Sequence, residues 1–398
     1  MTPAATFSAT PSSDVDEAAL RAGPRAFVDA ELAPRADAFD EAAEIPEWFL
    51  TSLAEQGMWG AVRTGGMVAF GVLHEEVGRG CSSARSLLTV HSMALYALDR
   101  WGSAAMRERW LDPMTEGGRL GAFCLTEPGA GSDITAVAAT ARPAPGGGWL
   151  LDGHKKWVTG GERADLLLVF ARTERGVSAF LVPADTPGLT RTPVRGLLGT
   201  RAALTAEIRF DGCRLPAEAL LGAEGMGTAI AAGVLDIGRY SVASGSVGIV
   251  QACLDASVHH ATTRRQGGVL IGRHQLIQKM ITEMAVNLRA ARALCLRAGR
   301  LKEAGDPATI VETCAAKYLA SVSAMRAATD AVQIHGASGC SAERSVARYF
   351  RDAKIMEIIE GSSQIQEVLI AQHALTAAGG ARPAARAGAP AAPEGSTA

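Results

Sequence analysis

Gly121-Ala-Phe-Cys-Leu-Thr-Glu-Pro-Gly-Ala-Gly-Ser-Asp133 is where this chain changes texture. Upstream, residues 16 to about 118 read as helices with short breaks, in PEWFLTSLAEQG, in FGVLHEEVGRG with glycine at its C-terminal side, and in SAAMRERWLDPM closed by proline. The quoted stretch reads instead as a strand over Ala122–Thr126 that runs into a Pro-Gly-Ala-Gly loop. Glycines there permit close backbone approach, so successive amides can face an anion while the hydroxyls of Thr126 and Ser132 face a polar ring edge. A tight turn capped by the same threonine and serine fits the composition equally well.

Strand texture continues to about residue 224, in GWLLDGHKKWVTG, ADLLLVFAR, VSAFLVPA and LTAEIRFDG, each bounded by Gly, Pro or Asp. No βαβ alternation occurs, so the segment is expected to form an antiparallel barrel or sandwich and not a dinucleotide-binding unit. From residue 225 a helical period returns. Val247, Val250, Leu254, Val258 and Ala261 share one face, as do Ile277, Ile281, Met284, Leu288, Ala291 and Cys295, and again Ile310, Cys314, Tyr318, Val322 and Met325. With a further helix near 345–358 this predicts a four-helix bundle. The expected organisation is α+β: helical domain 16–118, β-barrel 119–224, helical bundle 225–376. The ends, 1–15 and 377–398, lack the apolar content to offset their ordering entropy and are expected to be disordered.

The chain has 398 residues, a formal charge of −2 and ordinary apolar content, which gives no general reason to expect a nucleic-acid or membrane partner. Seven scattered cysteines form neither a CxxC pair nor a metal-ligand spacing, so they read as reduced thiols with no metal site. The polar, acidic N-terminus has no targeting pattern and no long apolar run follows, so a soluble cytoplasmic protein is expected.

Two more stretches carry chemistry. In His154-Lys-Lys-Trp-Val-Thr-Gly-Gly161, strand alternation puts Trp157 and Thr159 on one face, where they suit a planar heterocycle; an ordinary half-buried tryptophan is the blander reading. In Ile358-Ile-Glu-Gly-Ser-Ser-Gln-Ile-Gln366, a carboxylate follows an apolar run and precedes glycine and two hydroxyls. Ser363 and Gln366 fit a capping box, so Glu360 falls on a short turn between two helices.

The motifs TEPGAGSD and KKWVT, about 30 residues apart, resemble those of the acyl-CoA dehydrogenase family. So do LLGTRAALTAEIRFDGCRLPAEALLG, Arg264-Arg-Gln-Gly-Gly268 with His274-Gln275, Gln333-Ile-His-Gly-Ala-Ser-Gly339 and FRDAKIMEIIEGSSQIQ, over roughly residues 20–376. The resemblance implies FAD between the β domain and the bundle, and Glu360 as the base that removes a substrate proton. Phe123, Leu125, Thr126 and Ser132 would line the flavin or its phosphates, Trp157 and Val158 would lie along the ring, and Thr159 would bond at its N5 side. Arg264, Gln275, Gln333 and Gly336 would reach FAD from a neighbouring subunit, which implies a homodimer or homotetramer, and Gln266, His274 and Ala337 beside them would also bind the cofactor. Ser362 and Gln364 would contact the adenine half. Ser132, Asp236, Arg239 and Gly361 would lie near the thioester substrate. An electron-transfer flavoprotein or oxygen would take the electrons.

Gly267 stands where the family usually has phenylalanine, Ala337 replaces a glycine, and the segment Gly60–Gly66 is shorter than the usual linker. Cys81–Met93, Gly238–Ile249 and Arg351–Ser363 are similar to the acyl-carrier-protein-linked dehydrogenases that supply hydroxymalonyl or methoxymalonyl units to polyketide synthases. This implies a short glyceryl-derived acyl group on an acyl carrier protein (ACP), with a CoA thioester as the alternative. Arg191, Arg195 and Arg201 are candidates for docking an acidic carrier, although a solvated arginine-rich loop fits them too. A flavin monooxygenase on the same fold would not need Glu360, and a non-catalytic acyl-binding scaffold would need neither Glu360 nor the flavin motifs.

Overall fold

Few of the helices start on a side-chain cap; Ser82–Trp101, for example, starts without one. In the computed structural model, which describes residues 16–377, the Asp16 carboxylate accepts from the amides of Ala18 and Ala19 and starts α1 (Glu17–Phe27). The ends expected to be disordered lie outside the described residues, except Ala377, which ends the last helix. Short helices α2 (Ala36–Ala42), α3 (Glu47–Glu55) and α4 (Ala61–Thr64) lead into α5 (Gly66–Gly80), α6 (Ser82–Trp101) and α7 (Ala104–Thr115). Pro113 does not close α7, because so near the C-terminal end it removes a single backbone bond from the ladder. Helix α6 is buried on nearly every side, between the N-terminal helices, the sheet and the bundle.

The strands are β1 (Gly121–Cys124), β2 (Thr140–Pro143), β3 (Trp149–Val158), β4 (Leu166–Thr173), β5 (Gly176–Pro183), β6 (Leu189–Pro193), β7 (Ala206–Leu215) and β8 (Leu220–Leu221). They form one sheet in the order β6-β7-β3-β2-β4-β5-β8, with β1 also on β4. The expected antiparallel barrel is corrected on two counts. First, β1 pairs with β4 in parallel, Phe123 opposite Leu168, because a long excursion through β2 and β3 separates them. Second, the sheet does not close. Its outer strands are β6, which ends at Pro193, and the two-residue β8, which turns at once into the bundle and offers too short an edge to join.

The C-terminal part comprises α8 (Gly227–Thr263), a two-strand hairpin β9 (Arg265–Gln266) and β10 (Val269–Leu270), α9 (Gln275–Glu303), α10 (Thr309–His335), α11 (Val346–Ile358) and α12 (Ser363–Ala377). Among the described residues α8 alone is long and apolar enough to match a membrane span, but most of its apolar window is buried inside the protein as the bundle core. Helix α10 packs on α8, α9, α11 and α12, so five helices replace the expected four. Its expected stripe is also corrected. Ile310 and Val322 are exposed, and Cys314, Ala316, Ala320, Ala324, Ala327 and Ala331 are buried, because small side chains let the helices approach closely. Val258 of the α8 stripe is exposed too.

Two sets of polar contacts fix the parts against one another. On α11, Arg348 Nε donates to Asp37 Oδ1 (2.7 Å), Arg351 pairs with Asp40, and Asp352 Oδ1 accepts from the Thr200 amide (2.6 Å). These contacts hold α11 to α2 and to the loop before β7. On the sheet, fully buried Lys155 donates to Glu127 Oε1 (2.6 Å) and to the Leu125 carbonyl (3.1 Å), and Glu127 also accepts from the amides of Ala138 and Ala139. The ion pair thus pins the glycine loop after β1 against β3. Lys155→Met leaves a buried carboxylate without its counter-charge, and should cost about 3–5 kcal/mol of stability, measured by denaturant unfolding; Arg163→Met, at an exposed pair, should cost under about 1 kcal/mol.

Candidate active site

Helix α11 ends at Ile358 and α12 begins at Ser363, and the four residues between them aim the carboxylate. Glu360 has φ +54° and Gly361 φ +89°. A left-handed backbone is uncommon at a glutamate and persists only where its surroundings impose it. Those surroundings are specific. Gln366 Nε2 donates to the carbonyls of Glu360 (3.4 Å) and Gly361 (3.0 Å), and Arg239 Nε donates to the Glu360 carbonyl (3.4 Å). Lys317, fully buried on α10, donates to the carbonyls of Gly361 (2.8 Å) and Glu357 (3.4 Å), which leave the end of α11 without helical partners.

The capping box expected at Ser363 is therefore corrected. The helix does begin there, but Ser362 Oγ accepts from the Ile365 amide (3.4 Å) as its cap, and Ser363 Oγ donates back to the Glu357 carbonyl. Gln366 turns away from the cap to hold the Glu360 turn.

Glu360 as a whole retains some exposure, but its Oε2 is shut off from solvent and has no hydrogen-bond partner. Space for it depends on Gly238 of α8, where a Cβ would stand 2.6 Å from Oε2 and 2.9 Å from Met93 Sδ. Burial pushes the carboxyl up to about 7, and Arg239, Arg85 and Lys317, in that order, oppose the rise. Burial in turn brings the Lys317 ammonium down to about 8. A carboxylate tuned to neutral pH, half charged and unpartnered, is suited to taking a proton. Asp236, one turn before Arg239, is engaged by Lys302.

On the sheet domain, Phe123 packs edge-on to Phe170 (5.5 Å), Thr126 is half-buried, and Ser132 is exposed. Leu125 and Val158 are buried in the core, so only their backbone groups are available to a ligand. Trp157 is 52% exposed with φ +61°. The β3 ladder is irregular between Lys155 and Val158, so the alternation expected to carry Trp157 and Thr159 to one face does not run through this point. An indole held outward by a strained backbone, beside a loop where Cβ atoms at Gly129 and Gly131 would meet nothing within 4 Å, fits a planar ring with an anionic tail.

The residues expected to serve a neighbouring subunit, and those beside them, form a separate group. Arg264, Gln266, His274 and Gln275 are exposed around the β9–β10 hairpin, and Gln333, Gly336 and Ala337 are exposed at the end of α10, while Gln364 is exposed on α12. The glycine at 267 has a backbone reason: Gly267 and Gly268 form the two-residue hairpin turn with φ +58° and +81°, a conformation that disfavours phenylalanine. The arginines considered for docking are otherwise occupied. Arg191 donates to the carbonyls of Gly161, Glu162 and Ala184, Arg195 pairs with Glu162, and Arg201 pairs with Asp40. Sequence reasoning passed over Lys317 and Arg85. Their signal was a lone basic residue in an apolar helical run, CAAKYLAS and SSARSLL.

Family models for the N-terminal, middle and C-terminal domains of acyl-CoA dehydrogenase match residues 14–118, 122–213 and 225–375. The chain belongs to the acyl-CoA dehydrogenase family. It is 40% identical over 369 residues to the mitochondrial short-chain specific acyl-CoA dehydrogenase of Rattus norvegicus, covering 89% of each chain. A Mycobacterium smegmatis glutaryl-CoA dehydrogenase solved with FADH2 superposes with a TM-score of 0.87 at 29% identity, over 91% of this chain and 95% of that one. FkbI, described as acting in biosynthesis of the methoxymalonyl extender unit of the Fk520 polyketide, superposes with a TM-score of 0.82 at 36% identity, over 89% and 99%. Family members are FAD-dependent oxidoreductases that act on acyl thioesters, and this enzyme is of that type.

Glu360→Gln should leave the flavin spectrum intact and lower kcat about 10²–10⁴-fold. For the unsubstituted enzyme, kcat/KM should climb as pH rises through about 7, because the base works ionised, and fall about tenfold per unit below it. Lys317→Met removes a cation that favours the ionised form, so the acid limb of that profile should move to higher pH. A limb that stays in place would show that Lys317 does not act on Glu360.

Proposed function

We propose that the enzyme oxidises a short acyl unit carried on an acyl carrier protein, a glyceryl-derived thioester on the way to hydroxymalonyl- or methoxymalonyl-ACP. The observation that carries the chemistry is Glu360, a buried, unpartnered carboxyl tuned near neutrality on a rigid turn. The oxidation removes a proton and a hydride. At a C3 alcohol, the hydroxyl proton goes to Glu360 and the hydride leaves C3, which produces the aldehyde. Bound FAD supplies the hydride acceptor.

Phe123, Thr126, Ser132, Trp157 and Thr159, with the backbone at Leu125 and Val158, are assigned to the flavin. Ser362 and Gln364 are assigned to its adenine half. Arg264, Gln275, Gln333 and Gly336 are assigned to FAD of a neighbouring protomer, in a dimer or tetramer, and Gln266, His274 and Ala337 beside them to the cofactor as well. Ser132, Asp236, Arg239 and Gly361 are assigned to the thioester side. An electron-transfer flavoprotein or oxygen would reoxidise the flavin. Similarity to FkbI over nearly the whole chain supports the carrier-protein reading.

The second reading is α,β-dehydrogenation of a short acyl-CoA, favoured by the 40% identity to a short-chain acyl-CoA dehydrogenase. There Glu360 would take the α-proton, the hydride would leave Cβ, and a double bond would remain. Anaerobic flavin bleaching separates the two. Bleaching by a glyceryl-derived ACP thioester, at a kcat/KM at least about a hundredfold above that for butyryl-CoA, is the expected result. Bleaching by butyryl-CoA and by no ACP thioester would overturn the carrier-protein assignment.

A further inference from the structure

Arg85 lies fully buried in the middle of α6, and among the described residues no carboxylate stands within ion-pairing distance of it. Its contacts are neutral: Nη1 donates to Thr89 Oγ1 (3.0 Å), Nη2 to Ser86 Oγ (2.8 Å) and to Met356 Sδ (3.2 Å), and Nε has no partner. The carboxylates whose charges favour its charged form are Glu360 and Asp352, and Asp352 is committed to the Thr200 amide. Burial lowers the guanidinium to about 10, so it stays charged at neutral pH. A buried cation without a counter-ion is costly; the arginines Arg21, Arg25, Arg79 and Arg292 gather on Glu75 and Glu76, and Lys317, the other buried cation of this region, bonds to two carbonyls.

The surroundings of Arg85 lead back to the catalytic turn. Arg85, Thr89 and Met93 follow one another at four-residue steps on α6. They meet a matching row on α8, where a Cβ at Gly245 would strike Arg85 Cδ (2.6 Å), Ser241 Oγ lies 2.5 Å from Thr89 Oγ1, and Gly238 lies against Met93 and Glu360. From Gly238 to Gly245 the helix rises about 10 Å at 1.5 Å per residue. The arginine starts at the end of that row marked by Gly245, and Glu360 and Met93 meet Gly238 at the other end. Behind it, Ser241 Oγ bonds to His74 Nδ1 (2.9 Å), and the other nitrogen of His74 is unpartnered. Arg85, Thr89, Ser241 and His74 thus form a fully buried polar cluster between α6, α8 and α5.

We propose that Arg85, supported by Thr89, is a specificity site for a short acyl thioester that carries an oxygen at its third carbon, as a hydroxyl or a carboxylate. The inference rests on the reading above, which places the acyl group beside Glu360 and gives it a C3 oxygen, and it adds the residue that recognises that oxygen. Either oxygen accepts from the free guanidinium N–H groups and supplies the acceptor that the protein withholds. A methyl in that position would leave the charge unpaired, and that is the physical basis for discrimination.

The test uses the full-length, FAD-loaded enzyme and three thioesters on one carrier: propanoyl, 3-hydroxypropanoyl and malonyl. Dissociation constants are read from perturbation of the flavin spectrum, separately from bleaching. Either oxygenated thioester should bind at least about tenfold more tightly than propanoyl. Preference for malonyl identifies an anionic substituent, and preference for 3-hydroxypropanoyl an alcohol. Arg85→Met should bring the ratio below about twofold, and the nearly isosteric Thr89→Val should reduce it in the same direction. Equal binding of all three by the unsubstituted enzyme would overturn the proposal even if Arg85→Met fails to fold. So would an Arg85→Met enzyme that keeps the ratio while only its pH profile moves, since Arg85 would then act on Glu360 alone. Discrimination without bleaching by any thioester would sink the dehydrogenase step and leave the subsite standing.

Discussion

A carboxylate oxygen sealed from water and given no hydrogen bond is the constraint on which this active site depends. Left alone, such a group would stay protonated far above neutrality. Here Arg239, Arg85 and Lys317 surround Glu360 closely enough to hold it near 7, yet none of them spends a short ion pair on it. Their hydrogen bonds go mainly to carbonyls and hydroxyls, so the charges act on Glu360 while its Oε2 stays free of a hydrogen bond. The left-handed backbone at Glu360 follows from the same clamp: Gln366, Arg239 and Lys317 fasten the turn from three different helices.

That arrangement has consequences across the chain. The turn is only as well placed as α11, and α11 is fastened to the N-terminal helices by Arg348 and Arg351 and to the sheet domain by Asp352. The segments that carry the TEPGAGSD and KKWVT motifs are fastened in turn by Lys155 and Glu127, which bind the loop after β1 to β3. The α11 anchor joins segments about 311 residues apart and is part-buried; the Lys155–Glu127 pair, 28 residues apart, is buried, where a broken pair is expensive. Precise placement of the Glu360 turn and of the loop after β1 therefore rests on a few ionic contacts within a large apolar core.

Much of this was legible beforehand, and the reasons are local. The helical, strand and helical textures follow from period and turn chemistry. Glu360 could be placed on a turn because a helix-stopping glycine follows it and a capping serine follows that. The errors arose where local pattern does not determine the outcome. Strand alternation failed at Trp157 because a ladder irregularity intervenes, and the α10 stripe failed because close helix packing selects small residues over large ones. The barrel failed because closure depends on whether two distant edges can pair, which no strand encodes by itself. Arg191, Arg195 and Arg201 were visible as charges, but their partners were not.

Family membership and the identity of the candidate base are thus properties of the sequence, because they rest on residue types at short fixed spacings. Only tertiary structure decides how that base is tuned. Lys317 lies 43 residues before Glu360, Arg239 lies 121 before it and Arg85 lies 275 before it, and their joint effect exists only when three helices bring them to one buried turn. Short-range spacing fixes which groups are present; burial and long-range contact fix their charge, and charge at neutral pH is what separates a base from an inert acid.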